Sequence, residues 1–238
     1  MAPPHQAPKR HKRNLPPEAK SVTKPAFKLA EVRITTLRPA FAKSLEQLQQ
    51  ICFPTLADSE LLHETHFLRH CELFPEGNFV ALVGSEVVGL GAGFLIDFDF
   101  DNPDHSFTEI MDHGYFSHHD PAGDYYYGAD ISVHPNYRKR GIGRLLYEAR
   151  QGLVKRLNRK GIVAGGVLPG FAHYKHIMSA NAYVRDVVAR RIYDPTLSFQ
   201  LKHGFKVRGV LRDYIVDSAA DNWASLIVWD NPDYRPLG

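Results

Sequence analysis

The chain reads as an α/β protein (α+β in some schemes), a mixed sheet with helices packed on it, and three stretches carry that prediction. Residues 125–164 run strand, glycine loop, helix, strand, and such a βαβ unit makes its two strands parallel. Residues 78–83 and 87–98 are apolar runs separated only by Gly84-Ser85-Glu86, a link so short that they pair as an antiparallel hairpin. Residues 205–216 and 223–229 repeat that logic near the C-terminal end. Parallel and antiparallel pairs in one chain imply a mixed sheet.

The 238 residues, 44% hydrophobic and 23% charged, suffice for one sizeable core and are marginal for two domains. One folded domain over residues 29–238 is therefore expected behind a tail. Residues 1–28 carry seven Lys or Arg against one Glu, a local +6 that leaves the remainder at −3 when the whole chain is +3. Rich in proline and poor in large apolar residues, this tail cannot offset its ordering entropy and is expected to be disordered. Its run KRHKR at 9–13 is a candidate nucleic-acid contact, although a solubilising tail is the plainer reading. The negative balance of the rest argues against nucleic acid as the main partner. No apolar run approaches the roughly 20 residues of a bilayer span, and Cys52 and Cys71 form no CxxC pair or disulfide framework. A cytoplasmic protein with no membrane partner is the expectation.

Taken in order, residues 32–37 alternate as a half-buried strand does, and residues 40–53 place Leu45, Leu48, Ile51 and Cys52 at helical spacing. Residues 59–74 read as a second helix, with Asp58 or Ser59 as N-cap and Pro75 and Gly77 past its end. After the first hairpin, residues 99–124 break the pattern. They are dense in Asp and His but lack HExxH or any other fixed ligand spacing, so polar loop residues near a site are expected there and no metal. A short helix is expected over 106–111. The strand at 125–134 should alternate, with Tyr127, Ala129, Ile131 and Val133 on one face and Tyr126, Gly128, Asp130 and Ser132 on the other. The helix at 141–159 lays Ile142, Leu145, Leu146, Ala149 and Leu153 along one stripe, and Gly161 ends it before a strand at 162–164. A second irregular stretch, 168–192, holds an LPGF turn and a helix over 179–192. Asp194-Pro195 then opens a short helix that Gly204 terminates.

The loop Arg138-Lys139-Arg140-Gly141-Ile142-Gly143 is the densest chemical signal. Its glycines let a backbone come close, and it opens a helix whose first amides have no partner inside the helix. Free amides at the positive end of a helix dipole bind phosphate, and Arg138, Lys139, Arg140 and Arg144 add four cations. A ligand with several phosphates is one reading, a basic surface turn the other. No GxxxxGK[ST] is present, and GIGRLL lacks the third glycine of a dinucleotide fingerprint.

The ordered set of VHPNYRKRGIG at 133–143, a following strand, and LSFQLKHGF at 197–205 resembles the GNAT N-acetyltransferase superfamily. More narrowly, YGADISVHPNYRKRGIGRLLYEAR, KGIVAGGVLPG and YDPTLSFQLKHGF look like the acetyltransferase half of bacterial proteins that fuse such a domain to a carbon–nitrogen hydrolase. The chain is expected to end before any hydrolase begins. The resemblance implies a six- to seven-stranded sheet whose two central parallel strands splay apart, and acetyl-coenzyme A as co-substrate. It implies that the amides and cations from Arg138 to Arg144, Ile142 and Gly143 included, hold the pyrophosphate. It also implies that Ile131, Ser132 and Val133 pair with the pantetheine, an amide near Val133 polarising the thioester carbonyl.

Acyl transfer needs a neutral amine, and an alkyl amine titrates about three units above neutrality, so a base is required. Asp130 is the better candidate on the central strand and Tyr127 the other. The tyrosine that many relatives carry four residues before the Gly-Phe pair is Gln200 here, and the usual asparagine eleven residues before Gly204 is Tyr193. Tyr193, Tyr174 and His173 are the candidate proton donors. The two irregular stretches, long for this superfamily, are expected to wall the acceptor pocket around a small polar amine. The expected activity is N-acetylation of a small amine. A non-catalytic acyl-coenzyme A binding module is the alternative that the missing tyrosine allows, and a second copy of the chain is a further candidate partner.

Overall fold

The computed structural model describes residues 28–236, so all but the last residue of the basic tail lies outside the described residues. Seven strands are formed: β1 (Val32–Thr36), β2 (Phe79–Val83), β3 (Glu86–Ile96), β4 (Tyr125–Val133), β5 (Gly161–Val167), β6 (Lys206–Leu211) and β7 (Ala224–Asp230). They make one sheet in the order β1-β2-β3-β4-β5-β7-β6. Among the described residues only β4 and β5 pair in parallel; every other neighbour is antiparallel. The mixed sheet and the parallel centre expected from the sequence are both present.

Six helices cover the two faces: α1 (Ala42–Cys52), α2 (Glu64–Leu73), α3 (Phe107–Ile110), α4 (Ile142–Arg156), α5 (Ala180–Val188) and α6 (Leu197–Lys202). Each face has its own apolar core. Leu45 and Leu48 of α1 pack with Phe67 of α2, Phe94 and Tyr127 on one face. Leu146 and Leu153 of α4 pack with Tyr183 and Val184 of α5, Tyr126 and Ile162 on the other. Among the described residues no helix is long and apolar enough to cross a membrane.

Two elements depart from the sequence expectation. The helix expected over 59–74 begins at Glu64: residues Asp58–Glu60 form one 3-10 turn, and Leu61 and Leu62 then run into the core, 8% and 2% exposed, where burial outweighs helical periodicity. The second departure is in β4. Ala92 pairs with Asp130 but Gly93 pairs with Gly128, so Ala129 is an extra residue, a β-bulge. The bulge resets the alternation. Tyr127 packs in the α1–α2 core, and Asp130 is hydrogen-bonded from α1, so the two share a face rather than lying on opposite ones. Tyr126, Ile131 and Val133 lie together on the α4 side.

The bulge sits where the central pair opens. β4 and β5 are bonded only from Tyr125–Tyr127 to Gly161–Val163, and beyond them the two strands continue without pairing each other. The gap is held open from the β5 side. A Cβ at Gly165 would overlap the Tyr214 ring, and one at Gly166 would fall 2.7 Å from Gln200 Oε1. Two glycines in succession therefore admit a tyrosine and a glutamine into the space between the strands.

Candidate active site

The opened strands form a cleft of about 110 Å3 that reaches from one face of the sheet to the other. Gln49 of α1 and Asp130 of β4 lie on one side, and Tyr147 and Arg150 of α4 on the other. Gly165 and Gly166 of β5 with Gln200 of α6 close the far wall. Phe53, Leu56, Glu60, Phe107, Tyr214 and Ile215 complete the α1 side.

Asp130 lies on the α1 side of this cleft. Its carboxylate is 7% exposed and accepts hydrogen bonds from Gln49 Nε2 at 2.7 Å and from Ser132 Oγ at 3.3 Å. Burial raises its pKa to about 6, while Gln49 and the Arg150 guanidinium partly hold it down. A carboxyl poised there is charged at neutral pH yet can hold a proton, as a general base must. Arg150 supports it indirectly. Its Nη2 donates to the Ala92 carbonyl at 2.6 Å, opposite the bulge, and its guanidinium lies over the Tyr126 ring at 5.7 Å. Two polar atoms of the cleft lining, Arg150 Nε and Gln200 Oε1, are buried with no hydrogen-bond partner among the described residues.

Tyr127 does not line the cleft. Fully buried, its hydroxyl lies 2.7 Å from His105 Nε2 and 3.0 Å from the Tyr214 hydroxyl, and burial raises its pKa well above the usual tyrosine value. It braces Tyr214, which does line the cleft. Tyr193 is apart from both: 76% exposed, it borders a separate groove with Arg190, Arg191 and Lys202. Tyr174 packs at a tilt against Tyr183 and His173 is exposed, so none of the three candidate proton donors reaches the cleft. Gln200, in the place of the usual tyrosine, hydrogen-bonds the Tyr147 hydroxyl, which burial keeps protonated.

The basic loop forms the N-terminus of α4. Gly141 is the N-cap in the left-handed region at φ 90°, which a β-branched residue cannot adopt without strain, and Lys139 just before it has φ 64°. The first bond of the helix runs from Leu145 N–H to the Gly141 carbonyl, leaving the amides of Ile142, Gly143 and Arg144 ahead of it. The four cations are not gathered evenly. Arg138 Nε donates to the Val133 carbonyl at 2.8 Å, Arg144 pairs with Glu148 at 2.6 Å, Lys139 is exposed and Arg140 half-buried.

Of the irregular stretches, residues 99–124 supply Phe107 to the lining and His105 behind it, while residues 168–192 supply none of the lining. Helix α6 and Thr196 stand where that second wall was expected. Among the described residues no three His, Cys, Asp or Glu side chains gather as metal ligands would. The site residues that sequence reasoning missed are Gln49, Glu60, Arg150 and Tyr214. Arg150 had a legible signal, a charge at position 150 on the inward stripe of an amphipathic helix; the others arrive through tertiary contacts.

A family model described as Acetyltransferase (GNAT) family matches residues 42–164. Two proteins of Bacillus subtilis (strain 168) are similar over most of the chain. The one named "Probable hydrolase YhcX" is 42% identical over 190 residues, 79% of this chain and 36% of that protein. "Uncharacterized N-acetyltransferase YkwB" is 38% identical over 194 residues, 80% of this chain and 85% of that protein. The chain thus spans a minor part of the first relative, in keeping with its likeness to the acetyltransferase half of hydrolase fusions. Among solved structures, the "GphF GNAT-like decarboxylase in complex with isobutyryl-CoA" shares the fold at a TM-score of 0.70 and 22% identity, covering 84% of this chain and 99% of that one. Family model, relatives and the opened parallel pair agree: this chain belongs to the acetyltransferase (GNAT) family.

Proposed function

We propose that the protein transfers an acetyl group from acetyl-coenzyme A to the primary amine of a small acceptor. The observation that carries this reading is a buried carboxylate, Asp130, with a pKa near 6 at the floor of the opening between β4 and β5. The residues present suit the co-substrate. The three helix amides ahead of the first helical bond, at Ile142, Gly143 and Arg144, with Lys139, Arg140 and Arg144 near them, would hold the pyrophosphate. Arg138, hydrogen-bonded to Val133, would steady the strand whose Ile131, Ser132 and Val133 run beside the pantetheine. The likeness in fold to a protein bound to isobutyryl-CoA supports that placement.

Bound there, the thioester supplies the activated acyl carbon. Asp130 takes the proton of the incoming ammonium, leaving a neutral amine as nucleophile. A backbone N–H near Val133 stabilises the oxygen on which negative charge develops. Gln200 has no proton to give, but the protonated Tyr147 hydroxyl lies beside it and the cleft retains a phenol at that place.

Titration with coenzyme A and a thiol-release assay over a panel of primary amines test the reading. Gly141→Val should weaken coenzyme A binding at least tenfold, because it strains a cap at φ 90° beside the first amides of the helix. Unchanged binding, or wild-type protein that releases no thiol with any amine, would refute it.

A further inference from the structure

The α1 side of the cleft has a charge balance of its own. Among the described residues three charged side chains line the cleft, Glu60, Asp130 and Arg150. Arg150 comes from the opposite face and is committed to the Ala92 carbonyl and the Tyr126 ring. Among the described lining residues the α1 side therefore holds two carboxylates and no cation.

Glu60 stands on the 3-10 turn ahead of α2 and is 8% exposed. Its hydrogen bond comes from Thr108 Oγ1 at 3.3 Å, and it makes no ion pair among the described residues. A carboxylate so buried and so weakly partnered is costly unless a cation joins it. Gln200, 4% exposed, has its Oε1 without a donor among the described residues and is a second acceptor on the same cleft awaiting an N–H. Around Glu60 the walls are apolar, from Phe53, Leu56, Phe107 and Ile215. Among the described residues no cation lines that side to receive a carboxylate. The charged loop residues that suggested a polar acceptor are not part of the lining.

Resting on the acetyltransferase reading, we infer that the acceptor is a hydrophobic cation, a primary amine on an aryl or alkyl body that bears no carboxylate. Glu60 holds its ammonium while the apolar walls hold the body. As the amine moves on toward the thioester it leaves Glu60 and gives its proton to Asp130. Glu60 therefore governs acceptor affinity and Asp130 the chemistry.

The test is a calorimetric titration of the full chain, loaded with coenzyme A, using phenethylamine and L-phenylalanine, which adds only an α-carboxylate to the same body. Phenethylamine should bind at least tenfold more tightly than phenylalanine, and Glu60→Gln should weaken phenethylamine at least tenfold while coenzyme A affinity stays as in the wild type. Equal or better binding of phenylalanine, no binding of phenethylamine, or a Glu60→Gln protein that binds it unchanged would overturn the inference. The phenethylamine–phenylalanine comparison on wild-type protein stands even if the variant does not fold. Thiol release separates the two readings. Tight phenethylamine binding without release of thiol by any amine sinks acetyl transfer and leaves the cation site standing. Turnover that is indifferent to Glu60 does the reverse.

Discussion

Replacing Asp130 by asparagine should make the protein more stable and nearly inactive, a combination that a structural carboxylate would not give. The carboxyl titrates near 3.8 when unperturbed and at about 6 in the fold, a rise of about two units whose first cause is burial. At about 1.4 kcal/mol per unit, keeping it ionised at pH 7 costs the folded state about 3 kcal/mol. Asparagine keeps an oxygen for Gln49 Nε2 but adds an amide N–H without an assured acceptor, worth about 1 kcal/mol against it. A net gain of about 2 kcal/mol should raise the melting temperature by about 4–8 °C in a chain of this size. The sign follows from linkage. With a raised pKa, the protonated carboxyl favours folding below pH 4, and that advantage is lost as pH rises through 6. The variant should therefore be about 1 kcal/mol less stable than wild type well below pH 4, cross it between about pH 4 and 5, and lead by about 2 kcal/mol above pH 6. Turnover should fall about 10²–10⁴-fold. Urea melts at pH 4 and 7 beside a thiol-release assay measure both effects. An Asp130→Asn protein that is less stable than wild type at pH 7, or that keeps its turnover, would refute Asp130 as a buried base.

Tyr127→Phe removes a hydroxyl shared with His105 and Tyr214 and leaves the half-buried imidazole and the buried phenol short of a partner, so it should cost about 1–3 kcal/mol in a denaturant melt. Its turnover should stay within about tenfold of wild type, and a thousandfold loss in a properly folded variant would restore Tyr127 as a catalytic candidate. Arg150→Met withdraws a positive charge that lowers the Asp130 pKa, so the acid limb of the pH–rate profile should move to higher pH. A limb that stays in place would show that the guanidinium supports only the bulge.

Much of the fold was legible because it rests on local rules. The βαβ unit at 125–164 and both hairpins could be read from apolar runs and the shortness of their links, and the sheet has those pairings. The helix expected over 59–74 was not legible, since Leu61 and Leu62 leave the helical path to fill the core. Of the cleft, Asp130 could be read as a carboxylate on the central strand, but its face could not. A one-residue bulge at Ala129 inverts a period-two pattern without any mark in the pattern itself.

The sequence by itself determined the glycine-capped helix and the parallel pair, because a left-handed cap, free helix amides and a crossover connection follow from neighbouring residues and chain stereochemistry. Only the tertiary structure decided who stands around Asp130. Gln49 is 81 positions away, and Glu60, Arg150 and Tyr214 reach the cleft from separate elements. Their burial, and so the carboxyl's pKa, depends on contacts between distant segments. Local periodicity carries no information about which distant segment packs where. The same holds for Tyr193: its place in the sequence pointed to the site, but its backbone sets it 76% exposed on another surface.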